Sequence, residues 1–265
     1  MGVINVTPDS FSDGGILFDP IKAVDAGVRM AEEGADILDI GGESTRPGAQ
    51  PLSAPEERAR VLPVVEALAR RVKVPISVDT YKPAVADAVL DAGAAIINDV
   101  SGLRYEPALG EVVARRRAAL VLMHTRGRSK DMYQQASYHD VIDEVRDELR
   151  ESIAFATGAG VSRDAIIIDP GIGFAKEPAH SYEVVSRLHE FAELGRPIMS
   201  GPSRKSFLSK AVGRTLTAAQ RDWGTAAAVT ASVLAGAHVV RVHAVAEMAQ
   251  VARVADEIRK YHRDE

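Results

Sequence analysis

The sequence predicts a (β/α)8 TIM barrel in which residues 1–265 form a single domain. Three observations carry this prediction. Short apolar runs rich in β-branched residues recur eight times, segments with helical spacing of apolar residues separate them, and polar, chemistry-bearing residues follow each run. Strands apolar on both faces suit a parallel sheet covered by crossover helices. Eight runs over 265 residues amount to about one βα unit per 33 residues, which is barrel-sized. A doubly wound open sheet made of the same units is the alternative.

The elements follow in order. Residues 3–6 form the first run, and Ile21, Val24, Val28 and Ala31 then mark a helix face. Residues 36–40 form the second, followed by Val61, Val64, Val65, Leu68 and Val72 at the same spacing. The third to eighth runs are 76–78, 95–97, 119–123, 166–168, 197–199 and 239–242. Gly34, Gly93, Gly160, Gly195 and Gly236 each stand just before a run, where a helix can end in the left-handed region. Arg115, Arg116 and Arg117 fall at a predicted helix end, where cations complement the dipole, so the triplet is not read as a nucleic-acid patch. No linker, charge block or low-complexity tract divides the chain.

Composition excludes several classes of function. Hydrophobic residues at 46% and charged residues at 26% support a packed core and argue against disorder. Lys+Arg 32 against Asp+Glu 37 gives a net charge of −5, so nucleic acid is not expected as a partner and any anion site must be local. The absence of cysteine removes disulfides, thiolate metal sites and Cys nucleophiles, and fits a cytoplasmic protein. The opening run lacks the basic flank of a signal peptide, and Val6 occupies the position where a myristoylation signal wants Ser or Thr. Residues 223–240 carry no formal charge but contain Thr225, Thr230, Ser232, His238 and two glycines, so no membrane association is expected.

A parallel barrel turns all eight strand C-termini towards one mouth. After the runs come Asn5, the stretch from Gly41 to Gly48, Asp79 and Thr80, Asn98 and Asp99, His124, Asp169 to Gly171, Ser203 to Ser206, and Arg241 with His243. Taken singly, Asp79, Asn98 or Asp169 reads equally well as a capping or turn residue. Together they offer acceptors and one amide to a flat heterocycle with N–H donors. Asn5, Arg46, Arg204, Lys205, Arg241 and His243 supply donors and positive charge around the rim, with few carboxylates expected beside them to cancel it, which reads as an anion site. Phosphate commonly binds after strands seven and eight of a barrel, and the segment from Ser203 to Ser206 is expected to open a short helix there. The loops 9–20 and 43–55 are rich in Gly, Ser, Pro and Asp and can fold over a ligand.

These motifs together resemble the dihydropteroate synthases of the folate pathway. The carriers are the stretches from Asn5 to Gly15, Gly41 to Gly48, Ser77 to Thr80, Asn98 to Gly102, Met123 and His124, Asp169 to Phe174, Ser203 to Phe207, and Arg241 to His243, in order. The resemblance implies a barrel enzyme that joins p-aminobenzoate to 6-hydroxymethyl-7,8-dihydropterin diphosphate, giving 7,8-dihydropteroate and diphosphate with Mg2+. It implies that Asp79, Asn98, Asp169 and Lys205 hold the pterin, and that Asn5, Arg46, Ser203, Arg241 and His243 hold the diphosphate, with Asn5 also near the metal. Thr45, Pro47, Phe174, Ser206 and Phe11 would form the p-aminobenzoate pocket, while Asp13 would help order the first loop. Lys205, Arg241, His243, Asp79 and Asp169 are the expected catalytic set. A homodimer is implied as well.

Three departures from the family pattern stand out. Ala244 follows the Arg-Val-His motif where the family commonly has Asp, and loop five carries Ser129 and Tyr133 where Pro and Gln are frequent. The chain begins at its first strand without a leading hairpin, which puts stability in question. Two other functions compete: a pterin-binding methyltransferase on the same barrel, for which the basic rim would be superfluous, and a non-catalytic pterin-binding paralogue, which Ala244 favours.

Overall fold

The strands close on themselves. In the computed structural model, which describes residues 1–7, 20–45 and 48–261, β1 (Gly2–Asn5), β2 (Leu38–Gly41), β3 (Ile76–Asp79), β4 (Ile96–Asp99), β5 (Ala119–Met123) and β6 (Ile166–Asp169) pair in chain order. All five ladders between them are parallel. β7 (Met199–Ser200) and β8 (Val239–Val240) pair in parallel with each other. Parallel bridges Ile168↔Ile198 and Gly2↔Val242 join this pair to β6 on one side and to β1 on the other. The result is an eight-stranded parallel barrel, and the open-sheet alternative falls.

Predicted and observed strands agree except at these seams. β7 and β8 are shorter than the apolar runs 197–199 and 239–242 suggest, because regular pairing there narrows to single bridges. The chain nevertheless stays bonded to its neighbour as far as Val242, whose N–H donates to the Met1 carbonyl at 2.9 Å and whose carbonyl accepts from Val3 at 3.0 Å.

The helices are α1 (Pro20–Glu32), α2 (Ala54–Arg71), α3 (Pro83–Asp91), α4 (Leu109–Arg116), α5 (Val141–Gly158), α6 (Pro178–Ser186), α7 (Phe207–Val212), α8 (Asp222–Leu234) and α9 (Val245–Arg259). Local chemistry sets their ends. Ser53 and Glu56 form a capping box at α2, and Asp140 accepts from the N–H groups of Ile142 and Asp143 at α5. The five predicted terminal glycines all adopt positive φ, from 64° at Gly195 to 111° at Gly93. Arg115 and Arg116 end α4 in ion pairs with Asp87 and Asp91, and Arg117 follows as its left-handed cap with φ of 54°. Among the described residues no helix is long and apolar enough to cross a membrane.

The main apolar core lies between strands and helices and includes Ile4, Leu38, Ile40, Val61, Leu68, Ile97, Leu120, Val145 and Ile168. A separate small cluster of Met1, Ile96, Val121 and Met199, with Ile37, Ala119, Ile167 and Val239 against it, fills the lower barrel. Layers of this kind make a barrel interior solid. Above that plug the strands end in polar residues, and the register aligns Asn5 with Gly41, Gly41 with Asp79, and Asp79 with Asn98.

Met199 is 1% exposed inside this plug, whereas Trp223 on α8 is 88% exposed. Met199→Ala is expected to lower unfolding free energy by about 2–5 kcal/mol, and Trp223→Ala by no more than about 0.5 kcal/mol. Urea unfolding midpoints at constant slope check both.

Candidate active site

The barrel mouth gathers residues from most of its strand ends. Arg241, just beyond β8, donates from Nε to Asp39 Oδ2 at 2.6 Å and from Nη2 to Asp79 Oδ2 at 3.1 Å. Asn98 Nδ2 donates to the same Asp39 oxygen at 3.0 Å. Asp169 lies on the facing side, its Oδ1 accepting from the Gly171 N–H at 2.8 Å. Gly201 leaves the space between these groups open, since a Cβ there would sit 3.8 Å from Asp169 Oδ2, 3.9 Å from Lys205 Nζ and 3.9 Å from Arg241 Cβ. Gly41 does the same beside Asp79 and Asn5, where a Cβ would lie 3.8 Å from Asp79 Oδ2 and 3.9 Å from Asn5 Oδ1. Asp79, Asn98, Asp169, Lys205 and Arg241 therefore share one opening, with the carboxylates and the cations at the same end of the barrel.

Burial sets the charge states. Removal from water raises the Asp79 carboxyl to about 7, although Arg241 opposes the rise. Burial likewise raises Asp169, against the pull of Lys205. It lowers the Lys205 ammonium to about 8, with Asp169 opposing. Arg241 moves the other way: despite its burial, the carboxylates of Asp39 and Asp79 hold its proton above the usual arginine range.

Two sequence expectations about the rim need correction. Carboxylates do stand beside the cations, because folding brings them there from distant segments. Arg204 forks onto Asp222 at the start of α8, Nε to Oδ1 at 2.7 Å and Nη2 to Oδ2 at 2.8 Å, and so is committed to that contact rather than to an anion. Arg241 lies against Asp39 and Asp79 while 21% of its side chain stays exposed. His243 carries no charge near neutral pH, since burial and the nearby Arg241 lower its imidazole to about 4. Ser203 holds the ring in place: its Oγ accepts the His243 backbone N–H at 3.2 Å and lies 3.0 Å from Nδ1. His243 is thus a neutral imidazole at the rim.

The expected arylamine residues are placed unevenly. Thr45 and Phe174 line a cavity of about 220 Å3 together with Tyr81, Tyr105, Val100 and Arg128. The Phe174 ring lies 4.4 Å from Lys205 Nζ, and Ser206 stands at the start of α7. Phe11, Asp13, Arg46 and Pro47 lie outside the described residues. Two residues before Thr45, Glu43 belongs to a buried ion cluster, in which Lys82 Nζ donates to Glu43 Oε2 at 2.6 Å and also to Glu57 Oε2. Glu43 accepts the Leu52 N–H at 2.9 Å as well, which closes the second loop.

Sequence reasoning missed Asp39, Lys82 and Lys176. A carboxylate between Leu38 and Ile40 in an apolar strand was a signal for Asp39, which is fully buried with Oδ1 unbonded among the described residues. Lys82 carried no such signal. Ala244 proves to be the residue before the first turn of α9 and makes no side-chain cap, so the missing carboxylate is a missing helix cap.

As to metal, the described residues contain no cluster of three or more His, Cys, Asp or Glu side chains fit to hold an ion. The available oxygen is the Asn5 amide beside Asp79 and Gly41. One protein oxygen suits Mg2+, which keeps most of its waters and is commonly bound through substrate phosphates.

Comparison with known proteins agrees with this geometry. The pterin binding enzyme family matches residues 1–243. Dihydropteroate synthase of Bacillus subtilis is 43% identical over 256 residues, covering 97% of this chain and 87% of its own. That of Synechocystis sp. is also 43% identical, over 97% of this chain and 88% of its own. The Xanthomonas albilineans dihydropteroate synthase solved with 4-aminobenzoic acid superposes with a TM-score of 0.91 at 44% identity, covering 98% of this chain and 93% of its own. The Yersinia pestis dihydropteroate synthase in a sulfonamide drug complex gives 0.92 at 39% identity, with the same coverages. By sequence and by fold, the chain belongs to the pterin binding enzyme family, alongside relatives that are dihydropteroate synthases.

Proposed function

We propose that the barrel mouth condenses 6-hydroxymethyl-7,8-dihydropterin diphosphate with p-aminobenzoate, giving 7,8-dihydropteroate and diphosphate, and so acts as a dihydropteroate synthase of folate biosynthesis. One observation carries the reading: Asp79, Asn98 and Asp169 open into the same space as Lys205 and Arg241. Acceptors suit the N–H edge of a pterin, and the cations suit a leaving diphosphate. The relatives named above are synthases along nearly their whole length, so the methyltransferase alternative has no support. The paralogue alternative loses its ground once Ala244 is seen as an uncapped helix start.

An aromatic amine is already nucleophilic, so the site needs little base strength. The carbon–oxygen bond to diphosphate breaks, and the arylamine nitrogen bonds to the pterin methylene and releases a proton. Positive charge then develops on the pterin, where Asp79 and Asp169 can share it, and negative charge on the leaving group. Arg241, the neutral imidazole of His243 and Lys205 are the side chains offered to that group. Ser203 contributes by holding the His243 ring through its contact with Nδ1. Mg2+ bound by the diphosphate and Asn5 would add charge stabilisation at the same end. Arg46, on the second loop, is the remaining cation of the family pattern. On the family resemblance we further infer a cytoplasmic homodimer, which sedimentation of the purified protein would test.

The decisive experiment measures diphosphate release with Mg2+. Release that requires both substrates supports the reading, and no release, or release independent of p-aminobenzoate, overturns it.

Asp79 accepts pterin N–H groups best as the carboxylate, and Lys205 offers positive charge to the site only when protonated. Activity as kcat/KM is therefore expected to rise with pH through about 7, as Asp79 ionises, and to fall above about 8, as Lys205 loses its proton. Lys205→Arg should remove the alkaline limb, and a limb that persists in that variant would reassign it.

Because Arg241 neutralises buried Asp39, its simple truncation mixes catalysis with stability. The double variant Asp39→Asn, Arg241→Gln is expected to fold and to bind 6-hydroxymethylpterin with little loss, while kcat drops by about 10²–10³-fold. Calorimetric binding and steady-state rates separate the two. Ala244→Asp is expected to add about 1 kcal/mol of stability through the α9 cap and to leave kcat within about twofold of the parent, as thermal unfolding and initial rates will report.

A further inference from the structure

Beyond β6 the chain runs through four residues whose carbonyl oxygens are each held by a side chain. Lys205 Nζ donates to Ile172, and the Tyr133 hydroxyl donates to Gly173 at 3.2 Å. Lys176 Nζ donates to Phe174 at 3.2 Å, and the Tyr138 hydroxyl to Ala175 at 2.9 Å. The backbone here is contorted. Gly171, Gly173 and Ala175 have φ of 70°, 76° and 47°, and the last has no glycine freedom to make that easy. Contacts must hold this segment in shape.

Among the four donors Lys176 is the most enclosed, at 1% exposure. Its Nζ lies 2.9 Å from His124 Nδ1, and His124 Nε2 lies 3.1 Å from Glu148 Oε2. Glu148 is an acceptor only, bound by Arg126 at 2.8 Å and by Arg104. The His124 proton therefore sits on Nε2, and Nδ1 offers its lone pair to the lysine. Burial and the Lys176 charge keep this imidazole neutral, lowering it to about 3. Burial also lowers the Lys176 ammonium, to about 7. A chain of contacts results, from Glu148 through the imidazole to the lysine nitrogen, which donates to the carbonyl of a residue that lines the cavity shared with Thr45. The chemistry derived above does not use this lysine.

We propose that Lys176 is a positioning residue of the synthase reaction: anchored by His124 and Glu148, it fixes the Phe174 carbonyl and so sets the arylamine wall of the pocket. The inference rests on the function proposed above. Asp169 is held by backbone donors that replacement of the Lys176 side chain leaves in place, its carboxylate by the Gly171 N–H and its carbonyl by the His124 N–H at 2.9 Å, while the Lys176 charge reaches it only through space. Arylamine and pterin binding should therefore separate.

Lys176→Met replaces the lysine amine by an apolar group of similar length, and Glu148 keeps its two arginines, so the fold has no unpaired charge to accommodate. The expected result is a KM for p-aminobenzoate raised roughly tenfold, a KM for the pterin diphosphate within about twofold of the parent, and an unchanged or higher melting temperature. Lys176→Gln keeps an N–H donor and should recover most of the lost arylamine affinity. Equal effects on both substrates, an unchanged KM for p-aminobenzoate, or losses that track melting temperature would overturn the proposal. A wild-type protein that releases no diphosphate with both substrates overturns the function on which it rests, and the positioning role with it.

Discussion

The structure depends on a contact between residues 202 positions apart, in which Arg241 from the last strand end meets Asp39 from the second. Asp39 is fully buried, and a carboxylate in that position is unfavourable by several kcal/mol unless a cation and donors reach it. Asn98 reaches it along the ladder from β4, and Arg241 reaches it where the barrel closes through Gly2 and Val242. Closure and charge compensation are therefore one event. The same guanidinium then faces Asp79 at the opening, so the group that satisfies the interior also defines the site.

That arrangement explains why the mouth is balanced rather than strongly basic. A net charge of −5 gives no general attraction for anions, and the cations near the opening are met by Asp39, Asp79, Asp169 and Asp222. A ligand with an N–H edge and an anionic tail can engage both sets at once, whereas a bare anion must compete with carboxylates already in place. Selectivity for a pterin that carries its own leaving group follows from this balance.

Around the opening, buried ion and hydrogen-bond clusters hold the loops. Lys82 with Glu43 and Glu57 ties down the loop after β2, and Lys176 with His124 and Glu148 ties down the one after β6. Both use a buried lysine to fix backbone that no regular element supports. Pockets built from loops gain their shape from contacts of this kind, since the loops have no ladder of their own.

Much of the fold was legible because its signals are local. Apolar runs, five of them preceded by helix-ending glycines, located all eight strands, and the residues at their ends, Asn5, Asp79, Asn98, Asp169 and Arg241, could be named because a parallel barrel sends every strand end to one side. The lengths of β7 and β8, the use of Arg204 against Asp222, the neutrality of His243 and the roles of Asp39, Lys82 and Lys176 were not legible. Each depends on which distant residue comes within about 3 Å, and on how far water is excluded. By itself the sequence determined periodicity, element order and the inventory of polar groups at the mouth, because these reside in neighbouring residues. Only tertiary structure decided which charges cancel, which protons stay and which carbonyls are held, because Coulomb energy, desolvation and hydrogen bonding depend on separation in space and not on separation along the chain.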